Sequence, residues 1–208
     1  MFDLGAAALF LLAAIMLLGS PGPGIAALIA VGRSRGFAGG LNYFWGLQAG
    51  LAMAAGISAA GLFSVVQAWP LANVAMMSAA ILYLIWLAWQ IAFAPISGEP
   101  GKDQGGRAEA SISATAGGGF LLGITNPKSY LAFIALFASY LIVPSNGQAD
   151  MALKWSACVI VMILVDLVWL WLGVVIGRAN LTPTAERALN LVMGGTILVT
   201  ALLSWVQF

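Results

Sequence analysis

Hydrophobic residues follow one another in six long runs, broken by short polar clusters. The runs cover about Leu4–Val31, Phe37–Val66, Pro70–Ala94, Gly117–Val143, Trp155–Gly177 and Leu189–Val206. Most reach the roughly 20 residues that a helix needs to cross the hydrocarbon core of a bilayer. None alternates apolar with polar positions as a transmembrane β-barrel strand would. A helix satisfies its own backbone in lipid, where water cannot. The pattern therefore predicts an all-α integral membrane protein with six transmembrane helices. Leu4–Leu18 has the length of a signal-peptide core, but no basic residue precedes it and the apolar run continues past it. It is read as a retained first helix.

One polar stretch divides the chain. Residues 95–116 are rich in glycine, serine and charge, the composition of a flexible linker. Residues 1–94 then form a first three-helix repeat and 117–208 a second. Lys and Arg set the orientation. Arg33 and Arg35 lie in the first loop, Lys102 and Arg107 in the linker, and Arg178 in the fifth loop with Arg187 nearby. The second loop carries no charge, and in the fourth Lys154 is offset by Asp150. The linker is expected in the cytoplasm and both termini in the periplasm, in a bacterial inner membrane. Two odd-numbered triplets that enter from opposite sides make an inverted repeat, a common transporter plan.

Composition narrows the chemistry. The chain is 62% hydrophobic and 7% charged, against about 45–50% and about 25% in soluble domains. A net charge of +1 offers no basic field for nucleic acid. There is no histidine, and the single cysteine, Cys158, lies in mid-span, where it cannot form an internal disulfide. No acid–base pair, nucleophile–base set or metal-ligand cluster stands out. Neither an enzyme, a cofactor nor a resident metal is expected.

Two spans are interrupted at corresponding places. The first span of the first repeat contains Ser20-Pro21-Gly22-Pro23-Gly24, and the first span of the second contains Thr125-Asn126-Pro127-Lys128-Ser129. Proline has no N–H and clashes with the carbonyl four residues back. Pro21 and Pro23 would free the carbonyls of Leu17 and Gly19, and Pro127 that of Gly123. Each break also starts a new helix, whose unpaired N–H groups and dipole favour an anion such as a carboxylate. Ser20 and Asn126 are suitable N-cap types. Paired Pro/Gly interruptions point to a transporter binding site; the alternative is that these prolines merely kink their helices for packing. The depths do not mirror well. Gly22 is about ten residues from the inner end of its span and Lys128 about eleven from the inner end of its own.

Two charges lie deep. Asp166 sits about eleven residues from either end of Trp155–Gly177, where a carboxylate costs roughly 2.5–3.5 kcal/mol on insertion scales. It suits a proton carrier, an anchor for a substrate ammonium, or half of a structural pair with Lys128. Snorkelling of Lys128 to the inner interface would span about 16 Å of helix, longer than its side chain. Gln48 lies within Gly46-x-x-x-Gly50, a helix-contact pattern. It is a candidate for substrate contact beside its plainer role of bonding between helices. Asn42, Tyr43 and Tyr130 are weaker candidates.

These residues resemble the lysine-exporter (LysE) superfamily, in particular its homoserine/threonine-resistance branch. The resemblance rests on Ser20-Pro21-Gly22-Pro23-Gly24, Gly46-Leu47-Gln48-Ala49-Gly50, Tyr83-Leu84-Ile85-Trp86-Leu87 with Gln90, Thr125-Asn126-Pro127-Lys128-Ser129 and Val165-Asp166, in order along nearly the whole chain. It implies an exporter of amino acids or related metabolites driven by the membrane gradient, with protons as the expected coupling ion. No GxxxxGK[ST] run suggests ATP hydrolysis. The expected partners are an amino-acid-like substrate and the lipid bilayer. Glycine-rich faces also permit a homodimer. A cation or metal efflux carrier of the same superfamily is the alternative, though the lack of histidine speaks against tight metal coordination. The expected substrate-binding set is Ser20, Pro21, Gly22, Pro23, Gly24, Gln48, Asn126, Pro127, Lys128 and Asp166.

Overall fold

A computed structural model describes residues 2–61, 114–179 and 181–206, with isolated positions between 78 and 93. Every element bounded among these residues is an α-helix. They are α1 (Leu4–Leu18), α2 (Pro23–Ala59), α3 (Ala116–Thr125), α4 (Pro127–Ser139), α5 (Gly147–Arg178) and α6 (Pro183–Val206). Most of the third apolar run, and the linker with Lys102 and Arg107, lie outside the described residues.

Local chemistry sets the helix starts. Asp3 caps α1 by accepting from the Ala6 N–H at 2.9 Å. Thr115 caps α3 through Gly118 at 3.1 Å, and Asn146 caps α5 through Ala149 at 3.0 Å. The apolar runs supply the interiors. Along α5, Ile160, Leu164, Val168, Trp171 and Val175 are exposed, while Cys158, Met162, Asp166 and Leu170 on the other side are buried. An exposed face this apolar is suited to lipid rather than to water.

Helix α2 is a hairpin of two arms. Gly36 has φ 72° and ψ −179°, a left-handed conformation that favours glycine. Gly24 lies against Leu47, and Gly40 against Val31, so the arms run antiparallel. The first apolar run therefore continues to Arg35, where Val31 was expected to end it. In the second run, helix α2 ends at Ala59, where Ala60 and Gly61 turn the chain, and the expected end at Val66 lies outside the described residues.

The fourth run is broken at its Asn126-Pro127 motif, as expected, into α3 and α4, and helix ends at Ser139 instead of Val143. The chain bends by 63° across the first break and by 54° across this one. Among the described residues, α5 alone is an unbroken helix long and apolar enough to cross a membrane, and each bent pair passes as one broken span. With 32 residues, α5 begins eight positions before the expected Trp155. Asp150 and Lys154, read as loop charges, are instead buried and paired at 2.7 Å in its first turns.

The arms of α2 clasp helices from the far half of the chain. The first arm runs parallel to α5: Gly173 meets Ile29, and Gly177 meets Arg33 one turn on. The second arm runs parallel to α3: Gly119 meets Tyr43, and Gly123 meets Leu47. A Cβ at Gly123 would lie 2.6 Å from the Leu47 carbonyl oxygen. Glycine at these positions lets backbones touch, which is how helices pack closely where lipid gives no hydrophobic drive. Between these seams lie the two breaks.

Candidate functional site

Helix α1 stops at Leu18 because Pro21 cannot donate to the carbonyl of Leu17. Ser20 fills that gap itself, its hydroxyl donating to the Leu17 oxygen at 2.8 Å. Ser20 is thus not the N-cap of the next helix, as the sequence suggested. Gly22 takes that place, with no side chain to cap the new N–H groups. At the second break Thr125 donates in the same way to the Leu121 oxygen at 2.6 Å. Asn126 is the N-cap of α4, as expected, but its side chain makes no capping bond.

Pro23 and Pro127 each occupy the first turn of the helix that follows. There the missing N–H costs nothing and the fixed φ is already helical. The prolines therefore start helices as much as they break them. The arms they start, Pro23–Arg35 and Pro127–Ser139, are the same length. The preceding pieces are not: α1 has 15 residues and α3 has 10. Thr115 caps α3 immediately before Ala116.

The two breaks open on a shared cavity of about 40 Å³. Ser20, Gly22 and Gly24 line it from one side, Asn126 and Lys128 from the other, and Asp166 from α5. Leu51, Ser129 and Met162, none singled out by the sequence, also contribute to the wall. Their apolar or small side chains give no signal distinct from ordinary core packing.

Asp166 is 5% exposed, and its Oδ2 accepts from Gln48 Nε2 at 2.7 Å. Lys128 does not pair with it. Its Nζ donates to the carbonyl oxygens of Ser20 and Pro21, the latter at 3.1 Å. Among the described residues no ion pair joins the two charges, although they face one cavity. Two acceptors here have no hydrogen-bond partner: Asn126 Oδ1 and Gln48 Oε1, both on residues 5% exposed. A buried acceptor left unmade costs about 1–3 kcal/mol, which a ligand carrying N–H or O–H donors would relieve.

All ten residues singled out from the sequence thus come to one place. Six line the cavity, Gln48 holds Asp166, Pro21 offers its carbonyl to Lys128, and Pro23 and Pro127 begin the two arms. Of the weaker candidates, Tyr43 and Tyr130 are buried in the packed interior and Asn42 is exposed. The charged contacts at either end of the bundle went unseen in the sequence. Arg33 reaches Glu186 at 3.5 Å and Asn190, linking the first arm of α2 to α6. At the far end Asp150 accepts from the Ile142 and Val143 N–H groups at 2.7 and 2.8 Å, and Lys154 donates to the Phe137 carbonyl at 3.1 Å. The i,i+4 spacing of Asp150 and Lys154 was the available signal.

What the arrangement offers is a small, largely apolar chamber into which two uncapped helix starts, one cation and one carboxylate are set. No curated protein and no solved structure matches the chain. The family described as LysE type translocator matches residues 15–206. With the match running over nearly the whole chain, this protein belongs to the LysE type translocator family and is a membrane exporter of amino acids or related compounds.

Proposed function

We propose that the chain is a secondary active exporter of a small amino acid or related metabolite across the bacterial inner membrane, coupled to protons, and that its cargo binds between the two helix breaks. The observation that carries this is the shared cavity. It joins two uncapped helix starts to Asp166 and to an unpartnered Asn126 oxygen. A carboxylate is suited to the N–H groups at Gly22 and Asn126. An ammonium is suited to Asp166 and to the carbonyls freed at the first break. Asp166, the acidic residue of the cavity wall, carries the coupling proton.

Alternating access rocks one triplet of helices against the other. The clasped packing supports an inverted repeat: the leading helix of each half lies parallel to the second helix of the other. The orientation has the arginine-bearing end in the cytoplasm. Arg33 and Arg35 gather there with Gly177, Glu186 and Ala114, supporting the Lys/Arg bias.

The test is counterflow by the purified protein in liposomes across an amino-acid panel. Exchange of at least one amino acid above that of empty liposomes is expected. Uptake of none, by protein shown to be folded, would overturn the reading.

A further inference from the structure

We propose that the carbonyl pair of Ser20 and Pro21 is the seat for the cargo's ammonium group, and that Lys128 fills this seat as a tethered surrogate when the carrier crosses without cargo. The reading rests on the export function proposed above.

Lys128 is the second residue of α4, and the matching position in the first arm of α2 is Gly24. Its side chain crosses to the other break, where Nζ donates to both carbonyls. Ser20 and Pro21 lie outside any helix, and the first helical bond of α2 runs from the Ala26 N–H to the Gly22 oxygen. Their carbonyls are the acceptors that the break releases. A lysine ammonium and an amino-acid ammonium are the same donor group, so a seat made for one satisfies the other.

Four further features fit a seat rather than an accident of packing. A Cβ at Gly22 would lie 2.9 Å from Lys128 Cδ and 3.0 Å from Nζ, so glycine there admits the lysine stem. Asp166 is held by Gln48 and not by Lys128, so backbone oxygens define where the ammonium sits. The cavity beside the seated lysine is about 40 Å³, against roughly 300–1,000 Å³ for small-molecule pockets. Cargo and seated lysine therefore compete for one space. Asn126, whose Oδ1 lacks a donor, lies two positions before Lys128 and faces the same cavity.

The consequence is a division of labour. An unloaded carrier without Lys128 would have to move with unsatisfied carbonyls in a low-dielectric site, which is slow. A loaded one would not. Lys128→Met keeps the stem and removes the ammonium. Net efflux in that variant should fall about tenfold more than exchange of cargo does.

A binding measurement tests the seat without transport. Full-length wild type, Lys128→Met and Lys128→Ala are unfolded thermally in detergent with methylammonium chloride or tetramethylammonium chloride. Methylammonium brings N–H donors and its tetramethyl relative brings none. The expected result is a rise in Tm of about 2–4 °C with methylammonium in either substituted protein and none in wild type. Tetramethylammonium should shift neither. No selective rise in whichever variant folds, or an equal rise in wild type, would overturn the seat. So would loss of exchange in parallel with net efflux. A protein that passes the methylammonium test but exchanges no amino acid retains the ammonium seat and loses the export reading instead.

Discussion

Gln48 and Asp166 stand 118 positions apart in sequence and 2.7 Å apart across two helices, both 95% buried. The amide nitrogen is the side-chain donor that holds the carboxylate. Gln48→Leu should destabilise the protein by about 1–3 kcal/mol, since a buried charge then loses its hydrogen bond. Adding Asp166→Leu should recover part of that loss. Thermal unfolding of the four proteins in detergent gives the coupling, expected above about 0.5 kcal/mol. Strict additivity would mean the bond contributes nothing.

Removing the carboxylate's charge separates coupling from binding. Asp166→Asn should leave exchange of cargo partly intact and abolish accumulation driven by a proton gradient. Both are read in the same proteoliposomes, with and without a pH step. Gradient-driven export at the wild-type rate would remove Asp166 as the proton carrier.

The glycine seams predict a graded response to one added carbon. Gly173→Ala sets a Cβ 2.8 Å from Ile29 Cα, and Gly123→Ala sets one 2.6 Å from the Leu47 oxygen. Each should cost about 1–3 kcal/mol as the backbones are pushed apart. Gly195→Ala meets nothing within 4 Å and should be neutral or stabilising by up to about 1 kcal/mol through helix propensity. Yields of folded protein after size exclusion should be higher for Gly195→Ala than for either seam variant. Equal behaviour would mean the seams are loose.

At the far end, Asp150 serves buried Lys154 and the backbone N–H groups of buried Ile142 and half-buried Val143. Lys154→Met strands a carboxylate and should cost about 3–5 kcal/mol. Asp150→Asn should cost less, because its oxygen still caps Ile142 or Val143. Thermal unfolding checks the order, and a larger loss from Asp150→Asn would contradict it.

Orientation is testable with single cysteines in a Cys158→Ser background. Gly105→Cys and Gln207→Cys should react with an impermeant thiol reagent from opposite faces of the membrane. Labelling from the same face would remove the six-span topology.

Much of the site was legible because deep polar groups are rare in a chain with 7% charge. Asp166, Lys128 and the Pro/Gly clusters stood out against an apolar background. Their partners did not. The carbonyls that receive Lys128 belong to backbone, which has no residue signature, so a lysine–aspartate pair looked as reasonable as the bonds to Ser20 and Pro21. The hairpin at Gly36 was hidden because Gly32–Gly36 and the arginines between them read equally well as a short loop. Glycine periodicity was visible at Gly46 and Gly50. That it brings the second arm against α3 depends on contacts about 70 positions away, which composition does not encode.

The clasped packing also bears on how the chain is made. A nascent chain presents its N-terminal half to the membrane first. Gln48 is in place before Asp166 is translated, the Ser20 and Pro21 carbonyls before Lys128, and the Ala52 carbonyl, which takes the Trp155 indole at 3.0 Å, before that ring. Each of these late polar groups is received by a partner laid down earlier. These three contacts can therefore close only once the second half lies beside the first.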